Sequence, residues 1–167
     1  MSVDVKTESP FDIDLPEPLA EVFAYWNRLR GDAWAPAWKD FRLLDLSSRA
    51  IPFVIVMDVI REPLDFHYRF WGTGNTTYIG YDMTGKSVRQ NKLFSEKVFN
   101  EARRIVEEKK PLVHHSKVIR GDGLFREYTR LRVPLTADGE NVTHIVSAVD
   151  IKEDNQDALN ALFGPKI

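Results

Sequence analysis

The sequence predicts an α+β domain: a five-stranded antiparallel sheet with helices on one face and an N-terminal helix covering the other. Three observations carry this expectation. The strand-like segments are joined by short links, two of which, "RGDG" and "TADGE", contain the Asp-Gly pair that favours hairpin turns. One stretch, "SEKVFNEARRIVEEKK" (95–110), keeps a long helical period. That helix falls after two strands and before three, so it must cross a face of the sheet to join its halves.

Residues 1–15 are polar and acidic and are expected to form a disordered tail. A helical extension follows over 16–46. Pro16 and Pro18 open its helix, Leu19, Val22, Phe23, Trp26 and Leu29 supply an apolar stripe, and Gly31 ends it. "AWAPAWKDFRLLDL" then predicts an aromatic turn and a short helix near 39–46.

The domain proper is expected over 47–152. "FVIVMDVI" (53–60) is apolar on both sides, as a strand covered on both faces must be. "DFHYRFW" (65–71) alternates, with Phe66, Tyr68 and Phe70 on one side and His67, Arg69 and Trp71 on the other. "REPL" between them is short enough for a hairpin. In the long helix Ser95 is the expected N-cap, Val98, Phe99, Ala102, Ile105 and Val106 form the stripe, and Pro111 stops it. The last three strands are "LVHHSKVI", "LFREYTRLRVPL" and "NVTHIVSAVDI", and a helical tail is expected over 153–167.

Composition narrows the function. A chain of 167 residues suits one domain. With no cysteine it forms no disulfide or thiolate metal site, which fits a reducing cytoplasm. No apolar run approaches ~18 residues and the N-terminus lacks signal-peptide features, so no membrane partner is expected. A net charge of −2 with both signs interspersed argues against a nucleic-acid surface.

The glycine-rich stretch "RFWGTGNTTYIGYDMTGK" (69–86) invites a phosphate-loop reading. Gly72-Thr73-Gly74 lacks the third glycine of a dinucleotide fingerprint, since position 77 is Thr, and the stretch as far as Lys86 is read as lacking a P-loop ending. Gly72 and Gly80 are instead expected at a strand exit and a helix end, both with positive φ.

These pieces together resemble a known family. A strand, then "Gly-Tyr" and "Thr-Gly-Lys-Ser-Val", in a chain ordered as two strands, a helical middle and three strands, is similar to a PAS domain. Trp26, Leu29, Arg30, Gly31 and Pro36, with "YRFWGT" at 68–73 and "RVPLTADG" at 132–139, resemble a divergent bacterial PAS family that carries a W-x-x-L-R-G helix. The resemblance covers 22–151. It implies a PAS-like sensory or protein-interaction module in bacterial signal transduction, binding a small ligand or a partner protein, and not an enzyme. It also implies a homodimer through the N-terminal helix, where Tyr25 is expected near the two-fold contact. Gly72 stands where many PAS domains place asparagine. No output region follows in the sequence, so any output is expected to pass through a partner.

A ligand pocket is expected between the sheet and residues 74–106, lined by Phe66, Tyr68, Phe70, Tyr78, Phe99, His114 and Ser116. No cofactor is named by the sequence. The resemblance allows haem on a single histidine, for which His114 is the better placed, while flavin photosensing is read as excluded by the absence of cysteine. His67, His114, His115 and His144 have no zinc-ligand spacing. The alternative from another class is a small lyase or hydrolase with an acid-histidine pair in a cone-shaped cavity, using for instance Ser116, His114 and Asp150. A third reading is an interaction scaffold whose core is filled.

Overall fold

The structure, a computed structural model, describes residues 2–119 and 125–153. Six strands make one antiparallel sheet: β1 (Ser2–Glu8), β2 (Val54–Ile60), β3 (Asp65–Trp71), β4 (Leu112–Ile119), β5 (Phe125–Leu135) and β6 (His144–Glu153). Their order across the sheet is β1-β4-β5-β6-β2-β3. The helices are α1 (Leu19–Arg30), α2 (Thr73–Ile79) and α3 (Ser95–Glu108). The five expected strands are present, and α3 joins β3 to β4 as anticipated. The fold is α+β and PAS-like.

The sixth strand corrects the reading of 1–15 as a disordered tail. Residues 2–8 pair with the outer edge of β4, from Ser2 opposite Val118 to Glu8 opposite Val113. A sheet edge offers unpaired N–H and C=O groups, which a polar strand satisfies without an apolar face. Composition alone therefore conceals it. The helix expected near 39–46 is two 3₁₀ turns, Trp38–Asp40 and Leu43–Asp45. Phe94, not Ser95, is the N-cap of α3. Residues 154–167, where a terminal helix was expected, and the "RGDG" turn lie outside the described residues.

Each face of the sheet carries its own core. On one, Leu19, Val22, Tyr25 and Trp26 of α1 pack on Val54, Val56, Leu131, Val133 and Val146. The Trp26 indole N–H donates to the Pro134 carbonyl at 2.7 Å, which fixes α1 to the central strand β5. On the other face, Val98, Ala102 and Ile105 of α3 pack with Ile55, Met57, Phe66, Tyr68 and Trp71. The aromatic leader thus covers its own sheet. Tyr25 is only 5% exposed. Its hydroxyl donates to Asp45 at 2.7 Å and accepts the Arg42 N–H at 3.1 Å, so it is committed to the core rather than to a two-fold contact.

A β-bulge breaks the expected alternation in β3. Val56 faces Phe70 and Met57 faces Tyr68, so Arg69 is the extra residue. Phe66 and Tyr68 keep the α3 side, but Phe70 moves to the α1 core and Trp71 to the α3 core. Gly80 has φ +94° and caps α2 with its N–H on the Thr76 carbonyl, as expected. Gly72 does not have positive φ; its φ is −61°. Its requirement is space, because a Cβ there would run into the Pro52 carbonyl and lie 2.6 Å from the Ile51 oxygen.

Candidate functional site

Between the sheet and the α2–α3 layer lies a small cavity. Its apolar lining is Ile55, Ile79, Phe94, Val98, Val149 and Ile151, and its polar lining is Tyr68, Trp71, Asn75, Asn91, Tyr128, Arg130 and Arg132. The free volume is about 20 Å³, room for about one water. β5 supplies both arginines because alternate residues of a strand share a face, and Leu131 and Val133 turn to the α1 core instead.

The arginines converge on Glu101 of α3. Arg132, 1% exposed, donates to Glu101 Oε2 from Nη2 at 2.8 Å and from Nε at 3.1 Å, and to Ser147 Oγ at 2.8 Å. Arg130 reaches the same carboxylate oxygen at 3.4 Å. Lys97 lies 3.8 Å from Oε1. Burial pushes the Glu101 carboxyl up, but Arg132 and then Arg130 outweigh it and hold the group at about 2. Burial draws His114 down to about 4 against the pull of Glu101, with both arginines adding to the fall, so the imidazole is neutral near pH 7.

Several buried polar atoms in this layer have no hydrogen-bond partner. The Trp71 indole N–H lacks an acceptor, and Glu101 Oε1 and His114 Nε2 accept or donate nothing. An unpaired buried group of this kind costs about 1–3 kcal/mol. Nearby, Asn91 donates to the Tyr68 hydroxyl at 3.4 Å and accepts from the Tyr81 hydroxyl at 2.9 Å. Burial raises the Tyr68 phenol above its ordinary value, so its hydroxyl keeps its proton.

Of the seven residues expected to line the pocket, only Tyr68 does so. Phe66 and Phe99 pack on each other at 5.3 Å, deeper in the α3 core. Phe70 has crossed to the α1 face with the bulge. Tyr78 is half-buried on α2, with the Arg126 guanidinium 5.8 Å from its ring centre. His114 and Ser116 are buried in β4 nearer the β1 edge, and His114 Nδ1 lies 3.3 Å from Thr7 Oγ1. Asp150 is opposite Thr129, which is itself opposite His115, so it sits on the other face from His114 and Ser116. The Ser116-His114-Asp150 arrangement is not assembled. A different acid-histidine pair, Asp58 and His144 at 3.4 Å, lies on the α1 face, where His144 stacks on Trp38 and Arg69 donates to Asp58.

Glu101, Arg130, Arg132 and Trp71 are not among the residues expected to line the pocket. One signal was available: Glu101 stands at the i+3 place between Val98 and Ala102, inside the apolar stripe.

The glycine stretch also needs a correction. Extended by one residue it ends Gly85-Lys86-Ser87, so Gly80 to Ser87 spells the P-loop pattern G-x-x-x-x-G-K-S. The structure shows no phosphate cradle. Gly80 closes α2, the Gly85 N–H donates to the Tyr68 carbonyl, and the Tyr68 N–H donates to the Lys86 carbonyl. Ser87 donates its hydroxyl proton to Asp65 and caps its own 3₁₀ turn. The segment is edge pairing for β3.

The cavity as it stands, with about 20 Å³ free, is far smaller than the roughly 300 Å³ or more that pockets for groups such as haem or flavin need. The absence of cysteine removes a cysteinyl adduct, not flavin binding as such. Among the described residues, no group of three or more His, Asp or Glu is placed to hold a metal ion, and no helix is long and apolar enough to cross a membrane.

The buried pair makes stability depend on pH. The unfolded chain binds more protons at His114 between its ordinary 6.5 and about 4, and at Glu101 between 4.5 and about 2. Stability therefore falls as pH falls through both windows. Urea unfolding at pH 7 and pH 5 should show a lower midpoint at pH 5, and His114→Gln should flatten that difference. Equal midpoints for the parent protein would reject a buried neutral His114.

No protein-family model and no curated protein matches the chain. Solved structures do resemble it. One is the dark structure of the blue-light photoreceptor Aureochrome1 LOV domain, 16% identical over 74% of this chain and 91% of that one, with a TM-score of 0.48. Another is an RNA-binding light-oxygen-voltage receptor, 14% identical over 97% of this chain and 42% of that one, at 0.46. A sensory box histidine kinase/response regulator from Burkholderia thailandensis E264 is 14% identical over 66% and 86%, at 0.37. These likenesses carry nothing about what this chain binds. Its own topology, an edge strand β1, then β2 and β3, short helices, α3 and three antiparallel strands, with α3 on one face and α1 on the other, gives it a PAS-like fold.

Proposed function

We propose that the chain is a cytoplasmic PAS-like sensory module of bacterial signalling, in which a small ligand enters the cavity and shifts the α2–α3 layer over the sheet. The observation that carries this reading is the unpartnered Trp71 N–H on a cavity lined by Tyr68, Asn91, Arg130 and Arg132. A core built only for packing has no use for a desolvated donor there. The ligand acts by binding the shifted state more tightly than the closed one. Output passes to a partner protein or a second copy, and on α1 the exposed positions Ala24, Asn27 and Arg28, not Tyr25, are available for that contact.

A second reading, an interaction scaffold with a filled core, draws support from the free volume of about 20 Å³. Native mass spectrometry of the purified chain separates the two. A sensor should carry a small-molecule adduct lost on denaturation. Bare mass, together with no ligand-induced change in the amide spectrum across a metabolite panel, would favour the scaffold. The acid-histidine pairs Asp58–His144, Asp65–His67 and Glu8–His115 all lie outside this cavity, so the observation that favours the sensory reading does not favour the lyase or hydrolase alternative.

A further inference from the structure

We propose that the ligand of this cavity is a small monocarboxylate with an apolar body; the proposal rests on the sensory reading above and names its ligand class. The buried charges do not balance. Arg130 and Arg132 share the one carboxylate of Glu101, and His114 is neutral. Arg132 takes the good geometry on Glu101, with two bonds at 2.8 and 3.1 Å. Arg130 is left with one long bond of 3.4 Å to an oxygen already used twice. Its side chain is only 10% exposed and lines the cavity, so its charge is largely desolvated while its remaining donors have no carboxylate of their own.

Trp71 adds an independent requirement, since its N–H also needs an acceptor. A carboxylate has two oxygens and about four lone-pair sites, enough to meet a guanidinium edge and an indole N–H together. A neutral amide carbonyl could satisfy Trp71 but would leave Arg130 uncompensated. Phosphate would bring more than one negative charge and no apolar body to Ile55, Ile79, Val98 and Ile151, and the surplus of one cation offsets only one of those charges. A short hydrocarbon or aromatic body suits those side chains. The present free volume admits only a water, so binding must displace the α2 and Phe94 side of the cavity, the motion that the sensory reading requires.

The test is a titration of the ¹⁵N-labelled full chain with butyrate, benzoate, butyramide and inorganic phosphate, following the Trp71 indole resonance assigned by its loss in Trp71→Phe. Butyrate or benzoate should shift that resonance saturably, while butyramide and phosphate should not. Arg130→Gln should weaken carboxylate binding at least tenfold, and the ligand-free variant should be as stable as the parent or more so, because it loses the surplus charge. If Arg130→Gln does not fold, calorimetry on Trp71→Phe replaces it, with the same expected loss. Equal binding of butyrate and butyramide, full affinity in the folded variant, or a neutral adduct in native mass spectrometry would overturn the carboxylate while leaving the sensor intact. Silence from all four compounds, with no adduct, would overturn both.

Discussion

Glu101→Ala is expected to destabilise the protein by ~3–5 kcal/mol, the usual loss when one partner of a buried ion pair is removed. The reason is what remains. Arg132 is buried and Arg130 nearly so, and without Glu101 no carboxylate contacts either guanidinium among the described residues. Arginine does not discharge by losing its proton, so the strain must be relieved by unfolding or by water entering the α3 core. Glu101→Gln should cost roughly half as much, because an amide oxygen can still accept from Arg132. The double change Glu101→Leu with Arg132→Met should recover stability relative to Glu101→Ala, as apolar replacements of buried pairs often do. Urea unfolding at pH 7 with an unchanged m value measures all three. A loss under ~1 kcal/mol for Glu101→Ala would place the cluster in water, contrary to its burial.

The same cluster marks where sequence reading ends. The Asp138-Gly139 turn between β5 and β6 and the long stripe of α3 were legible because they are local: each needs only neighbours in the chain. The two sides of β2 were legible for the same reason, and Val54, Val56, Ile55 and Met57 divide between the two cores as a doubly covered strand should. β1 was not legible, since its stability comes from the β4 edge and not from its own pattern. The bulge at Arg69 was not legible either, and that single extra residue exchanged Phe70 and Trp71 between the cores. A charge inside the stripe of α3 could have announced a buried partner. Which arginine it meets depends on the register of β5 under α3, a long-range fact no local pattern contains.

Gly72→Ala is the other substitution with a large expected effect, ~2–3 kcal/mol, the upper range for overpacking. The added methyl would meet backbone, the Pro52 and Ile51 carbonyls, rather than a side chain that could rotate away. Those carbonyls belong to a 3₁₀ turn, Ile51–Phe53, and cannot easily retreat. The Gly72 N–H is bonded to the Val54 carbonyl at 2.9 Å, and the Asn75 amide donates to Pro52 at 3.4 Å. Separating the two backbones to admit the methyl would break these bonds and loosen the start of α2, which forms one wall of the cavity. Gly80→Ala makes the contrast sharp. There φ is +94° but the space is open, so only the backbone preference is lost, about 1 kcal/mol. Thermal and urea unfolding of both variants should therefore rank Gly72→Ala as the more damaging, and hydrogen exchange should show α2 amides opening faster in it than in Gly80→Ala. The reverse ranking would mean that positive φ, and not the close approach to Pro52, is what the glycines of this segment supply.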